Sequence, residues 1–281
     1  MRILITGAGG KLGGALQNVL QAEHDVIGTD RSTLDITDYA ACGWFIAEAR
    51  PELLLHSAAY TDVNGCALDP QKALRVNGLG THNLAAVSAR RDIAMLYVSS
   101  NEVFDGKLGR AYHEYDVAKP INAYGVSKLY GERALAQVNP RHYIVRTAWL
   151  YAPGGQNFIH AILNAARQGR DLRVVTNEIS NPTSTSDLAE AIGQLIESQR
   201  YGTYHLVNEG AVSRWALARF ALDAAGFSDI PITSISSQQW QRPSQPPEHG
   251  PLANIAAAGL GIRLRPWQEA LRDFLAAEGL A

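Results

Sequence analysis

The residues of this chain best suited to chemistry are Tyr124 and Lys128, four apart in Tyr-Gly-Val-Ser-Lys. At i and i+4 on a helix they share one face, which brings an ammonium beside a phenol. Such a neighbour favours phenolate and is expected to lower the tyrosine pKa from about 10 toward working pH, as a proton donor to a carbonyl requires. Ser100, in Val98-Ser99-Ser100-Asn101-Glu102, is placed by the pattern at the end of a strand, where its hydroxyl can bond the same substrate oxygen or simply cap the strand. Far upstream lies Thr6-Gly7-Ala8-Gly9-Gly10-Lys11-Leu12-Gly13, directly after a short apolar run. Here Gly7 permits a tight turn, Gly10 a backbone approach to phosphate and Gly13 close helix packing, so the turn, Lys11 and Leu12 included, is expected to hold a pyrophosphate. Together the two features predict nicotinamide redox chemistry at a carbonyl or hydroxyl carbon.

The glycine spacing is Gly-x-x-Gly-x-x-Gly, because position 12 is leucine, and alone it is a weak signal. A downstream acid strengthens it. Asp30 follows the second predicted strand by one residue, where a carboxylate bonds the adenosine ribose hydroxyls. Arg31 beside it can pair a 2′-phosphate, so NADH and NADPH both stay open. Asp35 and Ile36 are candidates to flank the adenine. Ser57-Ala58-Ala59-Tyr60 ends the third strand with small residues that let a cofactor come close.

The elements that must carry these residues alternate. Arg2–Thr6, Asp25–Thr29 and residues 53–57, 95–99 and 142–146 read as strands. Helices are predicted from the apolar spacing that starts at Leu12, across Tyr39–Ala49, over 71–90 and over 124–138. Such alternation predicts an α/β fold, a doubly wound parallel sheet covered on both faces, with ligands at the carboxyl ends of the strands. The expected core is Ile3, Leu4, Ile5, Val26, Ile27, Leu53, Leu54, Leu55, Leu96, Val98, Ile144 and Val145. After Trp149 the pattern loosens into a helix over 158–168, an extended Leu172–Val175, a helix over 187–198, a proline-rich loop over 238–251 and a final amphipathic helix, Trp267–Ala277. We expect residues 1–150, completed by segments around 185–210, to bind a dinucleotide, and residues 151–281 to form mainly a smaller substrate lobe.

The chain has 281 residues, 46% of them apolar and 19% charged, a balance that fits a globular protein with a sizeable core. A net charge of −2 without basic blocks gives no footprint for nucleic acid or an anionic membrane surface. No apolar run reaches the roughly 18 residues of a membrane span. The two cysteines, Cys42 and Cys66, lack metal-ligand spacing, and no metal site is expected. A reduced cytoplasm fits these features.

With these residues the chain resembles the extended short-chain dehydrogenases/reductases, whose Ser/Thr, Tyr and Lys triad falls here on Ser100, Tyr124 and Lys128. Within that superfamily it is similar to the dTDP-4-dehydrorhamnose reductase family over nearly its whole length. The matching stretches are Leu34-Asp35-Ile36-Thr37-Asp38, Ala58-Ala59-Tyr60-Thr61-Asp62-Val63, Val103-Phe104-Asp105-Gly106, Arg146-Thr147-Ala148-Trp149, Asn157-Phe158, Pro182-Thr183, Arg242-Pro243 and Pro266-Trp267-Gln268-Glu269-Ala270-Leu271. The resemblance implies a Rossmann-type fold and NAD(P)H-dependent reduction at C4 of a nucleotide-linked 4-keto-6-deoxy sugar. Tyr124 is then the acid, Lys128 lowers its pKa and holds the nicotinamide ribose, and Ser100 orients the carbonyl. It further implies that Val63, Trp149 and the 101–102 pair line the sugar pocket and that Arg242 meets the nucleotide diphosphate.

Two departures stand out. Asn101 and Glu102 replace an acid and an aromatic of the family pattern, and Asn177-Glu178-Ile179-Ser180 stands where an Asp-Gln pair and a glycine are common. They leave open the particular sugar and any magnesium or homodimer contact of the family. Glu102 also admits another enzyme, a nucleotide-sugar 4,6-dehydratase or epimerase, in which a carboxylate two residues past the serine is the base at C5. A third reading, a dinucleotide-binding regulatory subunit without catalysis, is opposed by the intact triad.

Overall fold

The computed structural model describes residues 1–154 and 156–280. Its centre is a six-stranded parallel sheet built from β1 (Arg2–Thr6), β2 (Asp25–Thr29), β3 (Leu53–His56), β4 (Ala94–Ser100), β5 (His142–Thr147) and β10 (Gly202–His205), in the order β10-β5-β4-β3-β1-β2. After β2 the chain crosses back over β1, so β3 lies on the far side of β1 from β2. The carboxyl ends of β1 and β3 diverge at this reversal, which makes it the crevice where a doubly wound sheet takes its ligand.

Alternation along the strands sorts the core into two layers. Ile3, Ile5, Leu53, Leu55, Leu96, Val98 and Val145 face α1 (Lys11–Leu20) and α8 (Thr185–Glu197). Leu4, Leu54, Met95, Tyr97 and Ile144 face α2 (Tyr39–Ala49), α5 (Gly80–Ala89) and α6 (Ala123–Val138). Each fully buried aliphatic side chain of this kind contributes about 1.5–3 kcal/mol. Val26 and Ile27, expected in the core, are only half-buried, because β2 is the sheet edge and one side of it has no neighbouring strand.

The helix expected over 71–90 is a composite. α4 (Pro70–Ala73), with Asp69 capping its start, runs into a π-helical segment, Leu74–Leu79, and then into α5. A π turn widens the backbone and re-aims side chains, frequently at functional sites. A short α3 (Val63–Leu68), absent from the sequence reading, precedes it. Beyond β5 a second core gathers α7 (Phe158–Arg167), β7 (Leu172–Val175), α9 (Arg214–Ala224) and α10 (Trp267–Ala277). Short pairs tie this lobe together: β6 (Leu150–Tyr151) with β9 (Thr183–Ser184), β8 (Ile179–Ser180) with β11 (Val212–Ser213), and β7 with β12 (Ile232–Ile235). Among the described residues no helix is long and apolar enough to cross a membrane.

Candidate active site

β4 ends at Ser100, whose hydroxyl accepts the Glu102 N–H (3.2 Å) and so caps the 3-10 turn Asn101–Val103. The start of α6 is pressed onto that turn. Asn122 caps the helix by accepting the Gly125 N–H (2.8 Å), and its amide donates to the Glu102 carboxylate (2.6 Å) and to the Gln245 carbonyl (3.1 Å). A Cβ at Gly125 would lie 2.0 Å from the Glu102 carbonyl oxygen, so only glycine lets the helix approach this closely. The approach brings the neighbouring Tyr124 phenol to the Ser100 end of β4, close enough for the serine hydroxyl to act on its pKa. Further along, Glu132 locks α6 to the sheet, accepting Arg146 Nε (2.9 Å), Arg146 Nη2 (2.7 Å) and the Ser99 hydroxyl (2.5 Å).

The electrostatics differ from the expectation drawn from the Tyr-Lys spacing. Burial, then the Glu102 carboxylate, then Cys66 hold the Tyr124 phenol above its usual pKa, and the Ser100 hydroxyl only partly offsets them. The Lys128 ammonium does not lower it. Lys128 is buried with its Nζ 4.2 Å over the Tyr97 ring, and desolvation brings its own pKa down to about 7. Tyr124 therefore stays in the acid form.

A buried polar chain behind the site joins the strand ends to α6. Thr6 shares a hydrogen bond with His56 Nδ1 (2.7 Å), and His56 Nε2 with Thr81 (3.1 Å), whose hydroxyl donates to the Asn77 carbonyl (2.6 Å). Asn77, in the π-helical segment, accepts the Tyr60 N–H (2.7 Å) and donates to the Tyr60 carbonyl (3.0 Å) and to Ser127 (2.9 Å). Ser127 in turn donates to the Tyr124 carbonyl (2.7 Å). Sequence reasoning missed Asn77 because it lies in a run that reads as an ordinary helix.

Eight of the predicted cofactor residues, Gly7, Asp30, Arg31, Asp35, Ile36, Ala58, Ala59 and Tyr60, line one cavity of about 510 Å³ at the β1/β3 reversal, together with Lys72 and Arg75. A Cβ at Gly7 would meet the Ala58 backbone at 2.7 Å, and one at Gly13 the Gly7 carbonyl oxygen at 2.1 Å. α1 starts here at Gly10 with no side-chain cap and no acid in its first turn. Its leading N–H groups, those of Lys11, Leu12 and Gly13, are therefore free to bind an anion, and the cradle fits a dinucleotide pyrophosphate. Leu12 contributes backbone only, since its side chain is in the core, and the Lys11 ammonium donates to the Gln156 carbonyl. One oxygen of Asp30 accepts Ser32 N–H (2.8 Å) and Ser32 Oγ (2.6 Å), which lowers its pKa and leaves the other oxygen toward Gly9.

The matches with known proteins agree with this fold. The family described as RmlD substrate binding domain matches residues 1–279. The chain belongs to that family. It is 34% identical to the spore coat polysaccharide biosynthesis protein SpsK of Bacillus subtilis, over 98% of this chain and 96% of SpsK. A crystal structure of a dTDP-4-dehydrorhamnose reductase from Clostridium acetobutylicum superposes with a TM-score of 0.95 at 34% identity, covering 99% of each chain. The Bacillus anthracis dTDP-4-dehydrorhamnose reductase in complex with NADP superposes with a TM-score of 0.95 at 31% identity, covering 98% of this chain and 99% of that one.

Against this family background the residues expected to meet the substrate sort unevenly. Val63 opens α3, half-buried, behind its cap Asp62. Asn101 is placed differently from the expectation: its amide nitrogen donates to Ser180 (3.2 Å) and the Gly250 carbonyl (3.0 Å), tying the turn to the lobe rather than to the cleft. Glu102 has one oxygen on Asn122, while its Oε1 bonds none of the described residues and is not enclosed. Burial raises its pKa, with Asn122, Arg214 and Arg242 pulling it back down. Trp149 has the Arg214 guanidinium 3.7 Å over its ring, so one ring face is already covered. Arg242 ion-pairs with Glu178, which is 2% exposed. Glu178 and Arg214 are additions the sequence did not single out for this site: Glu178 lies in a departure noted only as leaving open the sugar and any magnesium or homodimer contact, and Arg214 at the start of α9, a helix not predicted.

Proposed function

We propose that the chain is an NAD(P)H-dependent reductase of a nucleotide-linked 4-keto-6-deoxy sugar, of the kind named in its relatives. The observation that carries the reading is the Ser100–Tyr124 pair at the carboxyl edge of the sheet, with the phenol kept protonated by burial and Glu102. A bound nicotinamide supplies hydride to C4 of the sugar. Ser100 holds the C4 oxygen, and Tyr124 passes its proton to that oxygen as the alcohol forms. The protonated fraction of Lys128 is the cation at hand to offset the phenolate left behind. Residues 1–150 with the strand and helix around 185–210 serve the dinucleotide in this scheme, and the remaining lobe serves the sugar nucleotide. Arg31, Lys72 and Arg75 around the adenosine end, and the NADP in the Bacillus anthracis relative, support NADPH as a cofactor, with Asp30 keeping NADH in play.

The test is direct. Purified protein given NADPH and dTDP-4-dehydrorhamnose should consume the two in equal amounts and yield a 4-hydroxy sugar. No consumption with any of a panel of 4-keto sugar nucleotides would contradict the reading. A second reading rests on the open oxygen of Glu102 beside Tyr124, a candidate base for a 4,6-dehydratase. That enzyme would release water from dTDP-glucose without added reductant, and Glu102→Gln would abolish the release.

A further inference from the structure

The two departures from the family pattern, Glu102 and Glu178, are 76 positions apart in sequence yet converge on the same pair of arginines. Glu178 sits at the centre. One carboxylate oxygen takes Arg242, and the other lies 3.9 Å from Arg214 Nε. Its backbone carbonyl also accepts the Arg214 N–H (3.0 Å), through the β8–β11 pairing. Arg242 is steadied a second time by the Ser244 carbonyl (3.0 Å). The two guanidiniums are thus held side by side around one buried acid.

Arg214 is the unusual member. Its side chain is 27% exposed and stacked against Trp149 at 3.7 Å and Phe158 at 5.1 Å, yet it makes no hydrogen bond with any described residue. An arginine fixed between two rings with its donors unspent is prepared for a ligand, since a guanidinium's planar fork suits bidentate contact with phosphate. One glutamate offsets only one of the two positive charges, and the α9 N-terminus adds to the positive field at Arg214. Nearby on the loop that carries Arg242, the Ser244 hydroxyl is buried without a partner.

We infer that Arg214 binds the diphosphate of the sugar nucleotide together with Arg242, and that Glu178 is the positioning residue that holds the two arginines as a pair. The inference rests on the nucleotide-sugar reading above and assigns the anion-binding wall within it. Glu102, on the Tyr124 side of the same cluster, is left facing the sugar, so the acid nearest the reaction centre is kept apart from the phosphates by the arginine pair.

Binding of dTDP, UDP and GDP, measured by calorimetry on the full chain, tests the assignment without turnover. For whichever nucleotide wild type binds, Arg214→Met keeps the stem packed on Trp149 and should weaken that nucleotide at least about tenfold, the loss of charged hydrogen bonds of roughly 1.5–3 kcal/mol. NADPH affinity should not change, and the matching nucleoside without phosphates should bind both proteins alike. Glu178→Gln should weaken the diphosphate less and leave the nucleoside alone. If Arg214→Met does not fold, Arg214→Lys decides: a several-fold loss supports the assignment and unchanged affinity overturns it. Equal nucleotide binding by wild type and Arg214→Met also overturns it while leaving the reductase reading intact. If wild type binds no nucleoside diphosphate, both fall.

Discussion

The two walls of the cleft are built on opposite principles. On the dinucleotide side the polar groups are largely paired before any ligand arrives: Asp30 with Ser32, Asp35 with Thr37, and Asn77 with Tyr60 and Ser127. What that side offers the pyrophosphate is backbone, the N–H groups of an uncapped helix over a floor of glycine and alanine, with Arg31, Lys72 and Arg75 lining the same cavity. Around the arginine cluster, side-chain charge is left partly unspent: the Arg214 guanidinium and Glu102 Oε1 bond none of the described residues, and the Ser244 hydroxyl is buried without a partner among them. A backbone cradle recognises a group that never varies, whereas unspent side chains can be exchanged one by one to suit a different sugar. The departures from the family pattern fall in and beside that cluster, while Ser100, Tyr124 and Lys128 keep the residue types of the family triad.

The contrast can be broken on the backbone side by two adjacent glycines. Gly13→Ala puts a methyl 2.1 Å from the Gly7 carbonyl oxygen, while Gly14→Ala meets nothing within 4 Å. The first should force the turn apart, costing about 1–3 kcal/mol of stability and most of the dinucleotide affinity. The second should leave cofactor binding alone and add about 0.5–1 kcal/mol of stability, as alanine does within a helix. Thermal unfolding and NADPH titration of the two variants check this. Similar behaviour of both would mean that the turn is not the cradle.

On the charged side the expected effect is smaller and appears in pH dependence. Glu102→Gln keeps an acceptor for Asn122 but removes the negative charge that helps hold the Tyr124 phenol above its usual pKa. Without that charge phenolate forms more easily, so the tyrosine loses its proton at lower pH. The alkaline limb of kcat/KM should therefore move toward neutrality. An unmoved limb would show that Glu102 does not act on the phenol.

What was legible in the sequence follows the same division. Strands near the middle of a parallel sheet are apolar on both faces, so Leu53-Leu54-Leu55 and Met95–Val98 declare themselves as short runs, and the glycines and the Tyr-Lys pair are local patterns. Local spacing carried the position of α6 to within one residue. It could not say that β3 crosses to the far side of β1, because strand alternation is blind to strand order, nor that β2 is an edge with Val26 and Ile27 half-covered. The Tyr124 pKa was misjudged for a related reason. The i to i+4 rule sets two residues on one face but not where a long lysine points, and the Tyr97 ring takes the ammonium. The charge cluster was half legible: Glu102 and Arg242 stood out as substrate candidates through the resemblance, but their grouping with Glu178 and Arg214 appears only once the lobe folds against the sheet. Glu178 and Arg214 become neighbours through a two-residue strand pair, β8 with β11, too short to leave a periodic trace.

The account's central claim is that Tyr124 is the proton donor of a reductase, and one substitution addresses it most directly. Tyr124→Phe keeps the ring against its surroundings and removes only the hydroxyl. Single-turnover reduction of dTDP-4-dehydrorhamnose by bound NADPH should then slow by about 10²–10⁴-fold, the usual share of general acid catalysis, while NADPH and nucleotide affinities stay at wild-type values. Reduction at close to the wild-type rate in that variant would contradict the claim.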